Sequence, residues 1–141
     1  MESEQISKEY HRAFLGQVID ALEILVHFFS ELESEKKVSI LQKYSADEIY
    51  DAASNFMLQL IIVFYAEDSG LLPMKNPLYR DKYSCTELVL RLNELCLHQS
   101  QDSFTAYKQI RQLIQALYRG GSNELSLPRL NVEFFAPESN R

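Results

Sequence analysis

Few residue groups in this 141-residue chain have types and spacings that could do chemistry. Glu23 and His27 stand four apart, as do Glu94 and His98, so each pair shares a helix face as a surface pair. Neither matches the Glu-x-x-His spacing of a carboxylate-bridged di-metal bundle. No His-Glu-x-x-His or Cys/His zinc spacing occurs, so no metal site is expected. No Gly-x-Ser-x-Gly elbow or phosphate-cradling glycine loop is present, so no catalytic residue and no cofactor are expected either. Two groups remain. Glu67 and Asp68 close the most apolar segment, where acids oppose the helix macrodipole. Such a placement calls for a reason: an ion pair to Arg80 or Lys82 across the following loop, or a contact to a partner domain. Lys75, Arg80, Lys82 and Arg91, interleaved with Tyr79 and Tyr83, form either a solvated loop face or a contact to DNA.

The elements that would position these groups are helical. Tyr10, Phe14, Val18, Leu22, Leu25, Phe29 and Leu32 recur at steps of three and four, predicting a first helix over 6–32. Gly16 within it marks a candidate close crossing, and Val38 to Tyr44 could add one short turn. Ser45-Ala46-Asp47-Glu48 is a capping box that opens a second helix running to about Asp68. From Phe56 onward this helix is apolar nearly all round, which predicts a central, buried position. Gly70 and Pro73 stop it. Two prolines in 71–83 argue against a regular helix there, and its Leu, Met and Tyr content predicts a loop packed on the body. Ser84-Cys85-Thr86-Glu87 is a second capping box, opening a helix to about Leu97 with Leu88, Leu92 and Leu95 inward. A polar break over 100–103 precedes a helix from about Phe104 to Tyr118, with Tyr107, Ile110, Ile114 and Leu117 on one face and Leu113 beside it. Gly120-Gly121 ends it, and 122–141 has no helical period.

The expected fold is therefore all-α: about four main helices in an irregular bundle, one Pro-rich packed loop, a helical domain over 1–121 and an irregular tail over 122–141. Composition agrees. Four Gly and four Pro are too few for a turn-rich β domain, and 46% hydrophobic with 24% charged residues suits a globular chain. The net charge of −6 argues against a stand-alone nucleic-acid binder. Residues 1–70 carry 13 acids and 5 bases, residues 71–141 carry 7 acids and 9 bases, so any polyanion contact belongs to the second half. Two cysteines, Cys85 and Cys96, read as thiols in a reducing compartment. The acidic start is no signal peptide, and the longest nearly apolar run, Phe56 to Ala66, is short for a membrane span. A cytoplasmic chain without a membrane partner is expected.

Asn76-Pro77-Leu78-Tyr79 is similar to the Asn-Pro-Pro-Tyr catalytic motif of amino-group DNA methyltransferases, with Leu78 in place of the second proline. It follows a helix rather than a strand, so the expectation here is a packed loop. A longer stretch carries a second resemblance. Leu60 to Pro73, containing Tyr65-Ala66-Glu67-Asp68-Ser69-Gly70-Leu71-Leu72-Pro73, is followed by Asn76-Pro77-Leu78-Tyr79-Arg80 and Tyr83-Ser84. It resembles the helical region preceding the methyltransferase domain in single-chain restriction–modification enzymes and related phage-defence adenine methyltransferases. Those proteins read Tyr-Ala-Glu-Asp-Arg-Gly-Leu-Leu-Pro, then an aromatic–Arg loop, then helices, then Asn-Gly-Gly-Leu-Phe. Here Ser69 replaces the Arg, Gln59 stands where an Arg often precedes the apolar helix, and Val132-Glu133 replaces Gly-Gly. No methyl-donor motif follows and no nuclease signature precedes. The resemblance implies a non-catalytic connector, not itself an enzyme, cut from or related to a DNA methyltransferase. It would position a methyltransferase domain of a parent chain or partner protein, with Glu67, Asp68, Lys75, Arg80 and Lys82 as DNA or domain contacts. The alternative is a free-standing helical interaction or regulatory module that forms homo-oligomers. Phe134-Phe135 discriminates: an exposed apolar patch suits a connector, and a tail folded onto its own helices suits the module.

Overall fold

The structure, a computed structural model, describes residues 2–36, 42–97, 103–120, 124–130 and 135–136. The fold is all-α. In chain order come α1 (Glu2–Lys36), α2 (Ala46–Asp68), α3 (Pro77–Lys82), α4 (Cys85–Leu97) and α5 (Ser103–Arg119). No strand occurs among the described residues. The expected extra turn before α2 lies partly outside them, as do His98, most of the break before α5, Gly121 and Phe134.

The chain divides into two compact units, Met1–Leu58 and Gln59–Arg141, with the division inside α2. The first unit holds α1 and the opening turns of α2. Ser45 caps α2 reciprocally: the Ser45 backbone N–H donates to Glu48 Oε2 at 2.8 Å, and the Glu48 N–H donates to Ser45 Oγ at 3.2 Å. These bonds hold the Glu48 carboxyl below its usual range. α1 is longer than its stripe required. At 1.5 Å per residue it spans about 52 Å, whereas the part of α2 in this unit spans about 20 Å. Its expected inward stripe is accordingly divided. Leu22 is buried and Val18 and Leu25 are half-buried, but Tyr10 and Phe14 are exposed. A helix that outruns its neighbour within the unit leaves the end of its stripe uncovered.

The second unit carries most of the core. Val63 and Ala66 of α2, Leu72, Tyr79, Leu88, and Leu113, Ile114 and Leu117 of α5 are buried. Leu125, Leu127 and Phe135 of the tail join them, Phe135 at 1% exposure. The tail is also bonded in place: Leu130 N–H donates to the Leu117 carbonyl at 2.7 Å, and Asn76 Nδ2 donates to the Glu124 carbonyl at 3.2 Å. Gly120 ends α5 in the left-handed region, at φ 82°. Tyr107, expected on the inward face of α5, is exposed.

Two expectations for this region need correction. The loop over 71–83 contains a helix, α3. Pro77 does not prevent it because Pro77 occupies the first helical turn, where a missing N–H costs nothing. Asn76 caps it, accepting the Leu78 N–H on Oδ1 at 2.9 Å. The rest of the loop is packed as expected, with Leu72 buried. Second, α2 is not enclosed. Val63 is buried, but Leu58, Phe64 and Tyr65 are exposed. By length and composition alone α2 would suffice to cross a membrane, yet only 22% of that window is buried. Apolar composition all round a helix sets what it can bury, and neighbours decide which face is buried.

Candidate functional site

Glu67 lies in the last turn of α2 and is 5% exposed. A buried carboxylate needs hydrogen-bond donors. Five converge on this one. Tyr79 Oη donates to Oε1 at 2.8 Å and the Cys85 backbone N–H donates to Oε1 at 2.8 Å. On Oε2, the Thr86 N–H donates at 2.9 Å, Thr86 Oγ1 at 2.6 Å and Ser84 Oγ at 3.3 Å.

The geometry follows from how α4 begins. A helix leaves its first backbone N–H groups without intrahelical acceptors. Here Ser84 is the cap residue, and its carbonyl accepts the first intrahelical bond from Leu88 at 3.1 Å. The Glu87 N–H is taken by Ser84 Oγ at 3.2 Å. The two N–H groups before it, of Cys85 and Thr86, are taken by Glu67. The second capping box is thus half used. The Ser84 N–H bonds the Tyr79 carbonyl at 2.9 Å, and the Glu67 carboxylate does the remaining work from outside the helix. Its negative charge also faces the positive end of the α4 dipole. That is the reason for an acid at the C-terminus of α2: the favourable interaction is with the start of a different helix.

The connection between the two helices, residues 69–84, is shaped for this. Gly70, at φ 73°, turns the chain out of α2, and Leu72 N–H returns to the Ala66 carbonyl at 3.0 Å. α3 then places Tyr79, which is fully buried, with its hydroxyl on Glu67 and its ring stacked on Tyr83 at 6.4 Å. A second polar brace crosses to α5. Arg91 donates to the Asp81 carbonyl at 3.1 Å and to Gln109 Oε1 at 3.2 Å, while Gln109 Nε2 donates to the Ser84 carbonyl at 3.3 Å.

Burial and the Glu67 charge have chemical consequences. The Cys85 thiol is pushed up to about 12, first by burial and then by the neighbouring carboxylate. The Tyr79 phenol is raised, first by burial and then by its hydrogen bond to Glu67. Both groups stay protonated at neutral pH, so neither is an activated nucleophile. Among the described residues, no group of His, Cys, Asp and Glu is placed to hold a metal ion.

Of the residues singled out in the sequence, the structure buries one and leaves four at the surface. Glu67 does not pair with Arg80 or Lys82, because helix N–H and hydroxyl donors already surround it. Arg80 instead lies 3.6 Å from Asp81. Asp68, Lys75, Arg80 and Lys82 are exposed. Tyr79 cannot stack on a base, being in the core, and Asn76 works as a helix cap. The methyltransferase-like reading of Asn76-Pro77-Leu78-Tyr79 has no support in this geometry. Sequence reasoning missed Ser84, Cys85, Thr86 and Tyr79 as partners of Glu67. The available signal was an acid at one helix end facing a capping box seventeen residues later.

Comparison with protein-family models, with curated proteins and with solved structures returns no match for the chain.

Proposed function

We propose that the chain is a non-catalytic helical module that positions other domains, of the kind that precedes the methyltransferase domain in restriction–modification DNA methyltransferases. The observation that carries this reading is the use made of Glu67. The stretch of the resemblance, Tyr65 to Pro73, contains one buried carboxylate, and all five of its donors come from α3, the residues between α3 and α4, and α4 itself. Glu67 ties α2 to α3 and to the start of α4, and donors take both of its oxygens. A fastened helical segment with Lys75, Arg80 and Lys82 at its surface suits a spacer that lines a DNA path without acting on it. The setting is cytoplasmic, and the partner is a methyltransferase domain.

The test is binding of duplex DNA by the purified chain, followed by fluorescence anisotropy across a salt series. Weak binding that falls with salt, and that disappears when Lys75, Arg80 and Lys82 are together changed to Glu with melting unchanged, is the expected result. Equal binding by that variant removes the DNA path. Methyl transfer from S-adenosylmethionine to DNA by the chain alone would overturn the non-catalytic reading.

A second reading, an interaction module that self-associates, is favoured by a separate observation. Leu15, Ile19 and Ile24 of α1 are exposed, while Phe135 is folded into its own unit. By the criterion of the tail, burial of Phe135 favours this module over the connector.

A further inference from the structure

We propose that the outward face of α5 binds the phosphate backbone of duplex DNA. The inference rests on the DNA-path reading above and adds a second surface to it. Residues 103–119 carry Lys108, Arg111 and Arg119 and no acid; the nearest acids in sequence are Asp102 before the helix and Glu124 after it. At 100° per residue, Lys108, Arg111, Gln112, Gln115 and Arg119 fall within about 100° of the helix circumference. Leu113, Ile114 and Leu117 lie on the opposite side, buried in the core of the 59–141 unit. The apolar side of α5 is thus committed to the fold, which holds the basic side outward.

This face has an order that suits a row of phosphates. Arg111, Gln115 and Arg119 succeed one another at steps of four, forming one ridge about 12 Å long. Arg129 extends it, with its side chain lying along Gly120, 3.7 Å at its closest from where a Cβ would stand. Arg119 and Arg129 are exposed and Arg111 is half-buried. None of the three forms an ion pair with a described acid. Arg119, in the last turn, suits the negative end of the α5 dipole, but Arg111, two turns earlier, gains nothing from it. Guanidinium forks and Gln amides are donors that proteins use on phosphate oxygens. Duplex DNA presents a charge about every 3.4 Å along each strand, so such a ridge meets several. Arg91 joins the face to the surface of Arg80 and Lys82, donating to the Asp81 carbonyl at 3.1 Å and to Gln109 of α5 at 3.2 Å.

The experiment is binding of a fluorescent DNA duplex by the full chain, followed by anisotropy over a salt series. Arg111→Gln, Arg119→Gln and Arg129→Gln each lower the slope of log affinity against log salt by about 0.9, and the triple variant by about three times that. Thermal melting stays at the native value, because glutamine keeps much of each stem. Arg119→Gln, at an exposed position, carries the test by itself if Arg111→Gln melts early. A native slope in variants with native melting overturns the α5 face. If the variant at Lys75, Arg80 and Lys82 still loses binding in that case, the DNA path stands without α5. No binding of the duplex by the native chain overturns both. Tighter binding of poly-glutamate or of phosphatidylserine vesicles than of the duplex overturns DNA as the occupant.

Discussion

The two units of the molecule hold their helices by different means. In the unit over 59–141, a buried carboxylate fastens three helices and a tail segment closes onto the core. In the unit over 1–58, a long helix meets a much shorter partner, and Leu22 and Ala53 are its described buried apolar residues. The polar groups of the second unit are enclosed and mutually satisfied, so removing one leaves its partners stranded in a dry site. The capping bonds of the first unit, between Ser45 and Glu48, sit at the surface, where water replaces a lost bond. A hydrogen bond therefore counts for much more in one unit than in the other, at similar length.

Mutations and pH can break or sharpen that contrast. Glu67→Ala should have the largest effect, because it strands the Cys85 and Thr86 N–H groups and the Tyr79 hydroxyl together. A loss of about 3–5 kcal/mol in urea unfolding of the 59–141 unit is expected. Tyr79→Phe removes one donor and keeps the ring, so about 1–2 kcal/mol is expected from the same measurement. Ser45→Ala, at the exposed capping box of the first unit, should cost about 0.5–1 kcal/mol and leave the 59–141 unit untouched. Tyr10→Ser, on the uncovered end of α1, should change unfolding by less than about 0.5 kcal/mol. Equal losses at Ser45 and Glu67 would erase the distinction between the units.

Alkali provides a test without mutation. The Cys85 thiol is held up to about 12 in the folded chain, against an ordinary value of 9.0. Below the ordinary value the thiol is protonated in both states and contributes fully. Between the two values the unfolded chain releases the proton and the folded chain keeps it, so stability falls as pH rises. Tyr79 shifts in the same direction. Unfolding midpoints should be level up to about pH 8 and decline toward about pH 11, with Cys85→Ser reducing the decline. A level profile would mean that Cys85 is not buried beside the carboxylate.

Much of this fold was legible in the sequence. Ser45-Ala46-Asp47-Glu48 and Ser84-Cys85-Thr86-Glu87 mark where α2 and α4 begin, and Gly70 and Gly120 mark where α2 and α5 stop. α3 is hidden in the sequence because Asn76-Pro77 reads equally as a break and as a cap followed by a first helical residue. The site was half legible. The odd position of Glu67 pointed to a partner, but a cation was the expected kind. Two of the five donors are backbone N–H groups, which every non-proline residue carries and side-chain type cannot mark. The other three are the hydroxyls of Tyr79, Ser84 and Thr86, two of them within the capping box that opens α4. The exposed faces of α1 and α2 were not legible for a related reason: residue type shows which face is apolar, and only packing shows which face is covered.

The most direct test of the fastening role of Glu67 is amide hydrogen exchange by NMR, read at Cys85 and Thr86 in the native chain and in Glu67→Gln. The expected result is slow exchange at both amides in the native chain, near the rate set by unfolding of the whole 59–141 unit, and marked acceleration in the variant. Fast exchange at Cys85 and Thr86 in the native chain, at rates like those of the fraying end of α1, would contradict it.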